Sequence, residues 1–180
     1  MIEIFYTISI PEVLSEAQRN GLRTLWKHTW MATYLKVLSD KELENLISTL
    51  DDRELSSMLS GDGVKIALAY LDDTIIGSAI FKEVGAISYL WGMYIMPEYQ
   101  RQAIGHGLIR LLVENIKAST EIHVYVLETS ASAIRFYGSL GFSEVSRENI
   151  ELSPGLIVNS VLRSAKLDTL RANLNSTGTA

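Results

Sequence analysis

Met96-Pro97-Glu98-Tyr99-Gln100-Arg101-Gln102-Ala103-Ile104-Gly105-His106-Gly107-Leu108 ends an apolar run at a proline, turns through a basic, glycine-containing loop and opens a helix. Upstream, Leu90-Trp91-Gly92-Met93-Tyr94-Ile95-Met96 is apolar and aromatic enough for a buried strand, and Pro97 stops it because a proline has no N–H for a ladder. Downstream, Ile104, Leu108, Leu111, Leu112 and Ile116 fall at helical spacing, with Arg110, Glu114 and Lys117 on the other side. The helix is expected to start near Ala103, with its unpaired N–H groups aimed back at the loop. Those N–H groups, the positive end of the helix dipole, Arg101 and the small residues that admit a ligand to the backbone together favour an anion such as pyrophosphate.

Two common phosphate binders are excluded by the string itself. No Gly-x-x-x-x-Gly-Lys-Ser/Thr occurs, and after Gly105 and Gly107 the third glycine of a dinucleotide fingerprint would be Arg110.

The 180 residues suit one domain, large enough to bury roughly 70% of the unfolded surface without staples. With no cysteine, disulfides and cysteine-based zinc sites are ruled out and a reducing compartment is allowed. The first residues lack the basic region of a secretory signal, and no apolar run approaches the ~20 residues that span a bilayer, so the expectation is a cytoplasmic protein with no membrane contact. A net charge of −5 argues against a nucleic-acid surface and favours a cationic partner. The plainer reading is that modest acidity only aids solubility.

Along the chain, residues 2–9 alternate as a first strand. Ser15-Glu16-Ala17-Gln18 and Ser39-Asp40-Lys41-Glu42 have capping-box spacing, each before a helical apolar stripe: Leu22, Leu25, Trp26 and Trp30, then Leu43, Leu46, Ile47 and Leu50. Asp51 to Glu54 interrupts, a further short helical piece is allowed, and Gly61-Asp62-Gly63 is a break. Val64 to Tyr70, Thr74 to Phe81 and the strand ending at Met96 read as an antiparallel meander. The helix after the glycine loop runs to about Ala118, and Glu121 to Leu127 returns as a strand. Strand, crossover helix and strand imply a parallel pair, so the sheet is expected to be mixed and mostly antiparallel, flanked by helices. Ser130 to Leu140 is a short helix closed by Gly141, and Phe142 to Leu152 with Leu156 to Ala165 form a last hairpin. Residues 1–165 are taken as one domain. In the tail, residues 166–180, Leu167, Leu170 and Leu174 are compatible with fraying, with docking on the body or with docking on a second subunit in a homodimer.

The stretch from Pro97 resembles the acetyl-CoA signature of the GNAT superfamily of N-acetyltransferases, in which Arg/Gln-x-x-Gly-x-Gly/Ala follows a strand. Aligned on Pro97, the signature falls on Gln100 to Gly105 and its first glycine is Ala103; a helical conformation there would tolerate the extra methyl. A second register, Gln102 to Gly107, fits the pattern literally but lengthens the loop. A second motif agrees: Ser130-Ala131-Ser132-Ala133-Ile134-Arg135-Phe136-Tyr137-Gly138-Ser139-Leu140-Gly141-Phe142 looks like the family's Asn-x-x-Ala-x-x-Phe-Tyr-x-x-x-Gly-Phe helix, with Ser130 in place of the asparagine. The order of elements is also similar, so the resemblance implies the α/β (α+β) GNAT fold.

The resemblance implies further that the backbone of Met93, Tyr94 and Ile95 holds the pantetheine of acetyl-CoA, that the N–H groups from Arg101 through Gln102, Ala103, Ile104 and Gly105 to His106 hold its pyrophosphate, and that Ser130 contacts the cofactor arm. No metal is implied. Tyr137 matches the family's proton donor to the departing sulfur. A phenol near pKa ~10 facing a thiol near ~8.5 passes its proton uphill by about 2 kcal/mol, so a hydrogen bond to the developing thiolate is the larger effect unless the site lowers the phenol's pKa. On residue type alone, Tyr137 reads as an aromatic core residue.

No base is assigned by the sequence. Residues 86–96 contain no acid, and Tyr125 stands where some family members carry a glutamate. Glu83, Glu128 and His123 are candidates, each also readable as a solvated or structurally paired group, and a water chain through Tyr94 or Tyr125 is equally compatible. Trp26, Trp30, Tyr34, Tyr89 and Trp91 are candidates to line an acceptor pocket, although a stripe such as Trp26 and Trp30 is more often plain core. The expected activity is acetyl transfer from acetyl-CoA to a primary amine of a small molecule or peptide, directly, since no thiol exists for an acyl-enzyme. The rivals are a regulatory acyl-CoA-binding module and an acyltransferase acting on hydroxyls.

Overall fold

The computed structural model describes residues 3–50, 55, 57 and 59–176. Strand β1 (Ile4–Ser9) leads through a 3-10 turn at Pro11–Val13 to α1 (Glu16–Tyr34) and α2 (Asp40–Ser48). Both capping boxes form: Ser15 with Gln18 and Ser39 with Glu42 exchange side-chain and backbone bonds, so each serine fixes where its helix begins. The interruption at Asp51 to Glu54 lies outside the described residues. Next come β2 (Val64–Leu71), β3 (Thr74–Val84), β4 (Ile87–Ile95), a 3-10 turn at Pro97–Tyr99 and α3 (Ile104–Asn115). The chain ends with β5 (Glu121–Leu127), α4 (Ala131–Ser139), the hairpin β6 (Ser143–Ser153) and β7 (Leu156–Lys166), and α5 (Leu167–Ser176).

The seven strands are hydrogen-bonded in the order β1-β2-β3-β4-β5-β7-β6. The parallel pair that a crossover helix demands is β4 with β5, from Ile87↔Glu121 to Leu90↔Val124. The pairs β1–β2, β2–β3, β5–β7 and β6–β7 are antiparallel, so the sheet is mixed. Within the last hairpin, β7 takes the inner place because it carries Val158, Val161 and Ala165 as buried residues, whereas β6 presents Glu144, Arg147, Glu148 and Glu151 and suits an edge.

The contacts divide the chain into two compact units, Met1–Lys82 with Gly92–Leu112, and Glu83–Trp91 with Val113–Ala180. In the first, neighbouring residues of β3 face opposite layers. A Cβ on Gly77 would touch Ile104 and Leu108 of α3 at 3.2 and 3.3 Å, while Ser78 accepts a hydrogen bond from the indole of Trp26 on α1 at 3.0 Å. The expected stripe of α1 is core: Leu22, Leu25 and Trp26 have no exposed surface. In the second unit the tail forms a helix over Leu167–Ser176. Leu167, Leu170 and Leu174 are buried, the N–H of Leu167 donates to the carbonyl of Thr120, and Asn173 donates to the carbonyl of Leu140. Gly141 ends α4 at φ +100, as the sequence expects of a closing glycine.

Candidate functional site

The first unit brings together the end of β4, the turn at Pro97–Tyr99, the glycine loop and the first turn of α3. Parallel pairing with β5 stops at Leu90↔Val124, so Met93, Tyr94 and Ile95 have no partner in that ladder. Beyond Pro97 the N–H groups of Tyr99 and Gln100 bond back to the carbonyls of Met96 and Pro97. Two glutamine side chains brace the turn: Gln100 donates to the carbonyl of Ile95 and Gln102 to that of Glu98, each at 3.2 Å. The Gln102 amide is therefore spent inside the loop, and its backbone N–H is the part left for a ligand.

Ala103 corrects the sequence reading. It is not helical: its φ is +62, as is that of Arg101, and α3 begins one residue later with the N–H of Gly107 donating to the carbonyl of Ala103 at 3.1 Å. A left-handed residue turns the loop sharply enough for the N–H groups of Ile104 and Gly105, which have no acceptor within the helix, to emerge together at its positive end. The glycine that the signature places at 103 has this physical reason, and it favours the register with Gly105 rather than Gly107 as second glycine. An alanine in the left-handed region costs about 1–2 kcal/mol, while glycine gives part of that back through unfolded-state entropy. Ala103→Gly is thus expected to raise stability by about 0.5–1 kcal/mol in urea melts; an unchanged or lower midpoint would mean that the loop carries no such strain.

The side chain of Tyr94 points away from the loop into α1. Its ring lies over Gly92, whose Cβ would come within 2.7 Å of it, and sits 6.0 Å from Trp26 and 6.3 Å from Trp30 between centroids. Burial pushes the Tyr94 phenol up, opposed by the Trp30 indole, which nevertheless makes no well-formed hydrogen bond. Tyr34 is likewise raised by burial. Trp26, Trp30 and Tyr34 are therefore core. Trp91 is half exposed.

Ser130 and Tyr137 belong to the second unit. Ser130 precedes α4 without capping it through its side chain. Tyr137 is 5% exposed, with its ring 5.2 Å from those of Phe136 and Phe142.

The same unit shows what the candidate bases do. One oxygen of Glu83 accepts from the N–H groups of Lys117, Ala118 and Ser119 at 2.8–3.0 Å and from the Ser119 hydroxyl at 3.2 Å. Partial burial alone would raise its pKa; the hydrogen bonds outweigh that and hold the carboxyl below its ordinary value. Glu83 is a latch for the turn after α3. Because its folded pKa is depressed, its contribution is full above the ordinary value near 4.5 and is lost as pH falls through the folded value. Glu83→Gln should accordingly cost about 1 kcal/mol at pH 7, a charged hydrogen-bond network discounted for its exposure, and the deficit should close in melts at low pH. A pH-independent deficit would assign the loss to packing.

Glu128 is paired with Arg147. His123 contacts Glu121 at 3.3 Å and stacks edge-on with Tyr89, 5.7 Å between centroids. Tyr125 donates to Glu148 at 3.0 Å, and burial followed by that carboxylate raises its pKa. Glu148, 23 residues from Tyr125 in the sequence, was not legible as a partner because only the β5–β7–β6 order brings it there. Among the described residues no group of three or more His, Cys, Asp or Glu is placed to hold a metal, and no helix is long and apolar enough to cross a membrane.

Known proteins share this fold. Solved structures similar to the chain include the PaiA N-acetyltransferase of Thermoplasma acidophilum in complex with coenzyme A (23% identity, 90% of this chain and 99% of that one, TM-score 0.68). They also include the ribosomal-protein-S18-alanine N-acetyltransferase of Escherichia coli (19%, 91% and 94%, 0.62) and a GCN5-related N-acetyltransferase of Rhodopseudomonas palustris (16%, 90% and 94%, 0.71). No curated protein sequence matches the chain. The family described as "Acetyltransferase (GNAT) domain" matches residues 34–152, well over half of the sequence and including the glycine loop, so the chain belongs to the GNAT acetyltransferases.

Proposed function

We propose that the protein transfers an acetyl group from acetyl-CoA to a primary amine of a small molecule or peptide. The observation that carries the reading is the left-handed Ala103 with the emergent N–H groups of Ile104 and Gly105, a donor array suited to a pyrophosphate. The coenzyme A complex of the Thermoplasma relative and the N-acetyltransferase names of all three neighbours support the donor and the acceptor class.

In this reading the backbone of Met93, Tyr94 and Ile95, beyond the end of the β5 ladder, takes the pantetheine arm, and residues Arg101 to His106 take the pyrophosphate. The neutral amine nitrogen attacks the thioester carbonyl, an N–H of the β4 segment stabilises the oxyanion, the C–S bond breaks, and the proton that the new amide nitrogen sheds passes to water. Tyr137 gives its proton, or a hydrogen bond, to the departing thiolate, and Ser130 contacts the cofactor arm. Positioning two bound reactants supplies much of the rate. With no cysteine in the sequence, transfer is direct within a ternary complex. The same composition is compatible with the reducing cytoplasm, where we place the protein.

The test is thiol release from acetyl-CoA between about pH 7 and 9, spanning the range in which an alkylamine begins to lose its proton, with polyamines, amino acids, aminoglycosides and short peptides as acceptors. Acceptor-dependent release is expected. Binding of acetyl-CoA with no release from any amine would favour the regulatory module instead.

A further inference from the structure

Gly107 is left over by the signature once Ala103 and Gly105 fill its two small positions, yet it is sterically constrained. A Cβ there would clash with the tip of the Tyr6 ring, 2.5 Å from its hydroxyl oxygen and 2.6 Å from Cε1. Tyr6 lies on β1, opposite Ala69 of β2, and Ala69 lies opposite Gly77 of β3. Paired residues point to one face, so Tyr6, Ala69 and Gly77 form a single row across three strands, one large residue followed by two small ones. Gly77 is the member of that row whose Cβ would touch Ile104 and Leu108 at 3.2 and 3.3 Å and Ala69 at 3.4 Å. The first two turns of α3 therefore rest in a shallow trough, with Tyr6 standing as a stop at its end and Gly107 as the notch that receives it.

This contact lies at the fourth residue of a helix whose first two residues, Ile104 and Gly105, present the unpaired N–H groups. Tyr6 and Gly107 are both half-buried, and the ring set against the backbone of Gly107 opposes a slide of α3 toward β1 or a rotation about its axis. We propose that Tyr6 is a positioning residue for phosphate recognition: by seating against Gly107 it fixes the first turn of α3 and hence the aim of the Ile104 and Gly105 N–H groups. The inference rests on the reading of that turn as a pyrophosphate site. Tyr6 acts through α3 and touches no ligand itself. Its ring is the working part, since it is the ring that fills the notch.

The experiment measures binding of coenzyme A and of 3′-phosphoadenosine 5′-diphosphate, a fragment that keeps the pyrophosphate and lacks the pantetheine, to the full chain by calorimetry. Tyr6→Ala is expected to weaken both about tenfold, in line with the sensitivity of preorganised sites to displacements below an ångström, and Tyr6→Phe to stay within about twofold of the parent. Gly107→Ala should also weaken both, and Gly107→Ala combined with Tyr6→Ala should bind no worse than Tyr6→Ala alone, because the methyl then has space. A control separates positioning from general loosening: Leu170→Ala in α5, destabilised in urea, should keep the parent's affinity. Parental affinity in Tyr6→Ala, or an equal loss in Leu170→Ala, would overturn the positioning role while leaving the site reading intact. Failure of the parent protein to bind either probe would overturn the site reading and the positioning role with it.

Discussion

Replacing Trp26 by alanine should remove about 4 kcal/mol of folding free energy, at the upper end of what a single core truncation costs and a large part of the roughly 5–15 kcal/mol that holds a domain of ordinary stability together. Trp26 has no exposed surface, and its indole nitrogen donates to the hydroxyl of Ser78, which is also fully buried, at 3.0 Å. Truncation opens a cavity between α1 and the sheet and leaves the Ser78 hydroxyl without this donor, so the transfer, cavity and hydrogen-bond losses add. Trp26→Phe keeps most of the ring and should cost about 2 kcal/mol. Ser78→Ala alone should cost about 1 kcal/mol, because it strands the indole N–H. Adding Ser78→Ala to Trp26→Ala should then cost less than Ser78→Ala does by itself, since the pair shares one bond. Urea melts of the four variants check this; additive losses would show that the bond contributes nothing.

The same residues show how far the sequence could be read. Trp26 and Trp30 could be placed on one face of α1 from spacing alone, because Ser15 and Gln18 mark where the helix starts. Spacing could not distinguish a core stripe from a pocket lining, since that depends on which β-strand residues lie opposite. The parallel β4–β5 pair followed from the crossover helix, a rule of chain geometry rather than of side chains. Ala103 departs from the helical conformation that its residue type implies. An alanine is ordinarily a helix former, whereas here it stands at φ +62 in the loop between Pro97 and α3. Gly107 looked like part of a phosphate motif because motif spacing is local, whereas its constraint comes from Tyr6, some hundred positions earlier and two strands removed from β3 in the sheet. The sequence leaves Glu83 open between a base and a structurally paired group, because its partners are backbone N–H groups, which a sequence does not display.

Substituting Tyr137 by phenylalanine should lower the rate of thiol release by about 10- to 100-fold, the low end of what a positioned proton donor contributes, with acetyl-CoA affinity nearly unchanged. The substitution removes one oxygen and keeps the ring contacts with Phe136 and Phe142, so the packing at this 5% exposed position is preserved. An effect confined to kcat is the signature of an interaction made in the transition state, where negative charge gathers on the sulfur, rather than in the ground-state complex. The role can be divided further by the leaving group. If the hydroxyl transfers a proton, donors whose thiols are more acidic should narrow the gap between Tyr137→Phe and the parent, because a stable thiolate departs without help. If Tyr137 is only a core residue, the rate with acetyl-CoA will be unchanged while the urea midpoint shifts. A fall in kcat with no fall in stability assigns the hydroxyl to the chemistry.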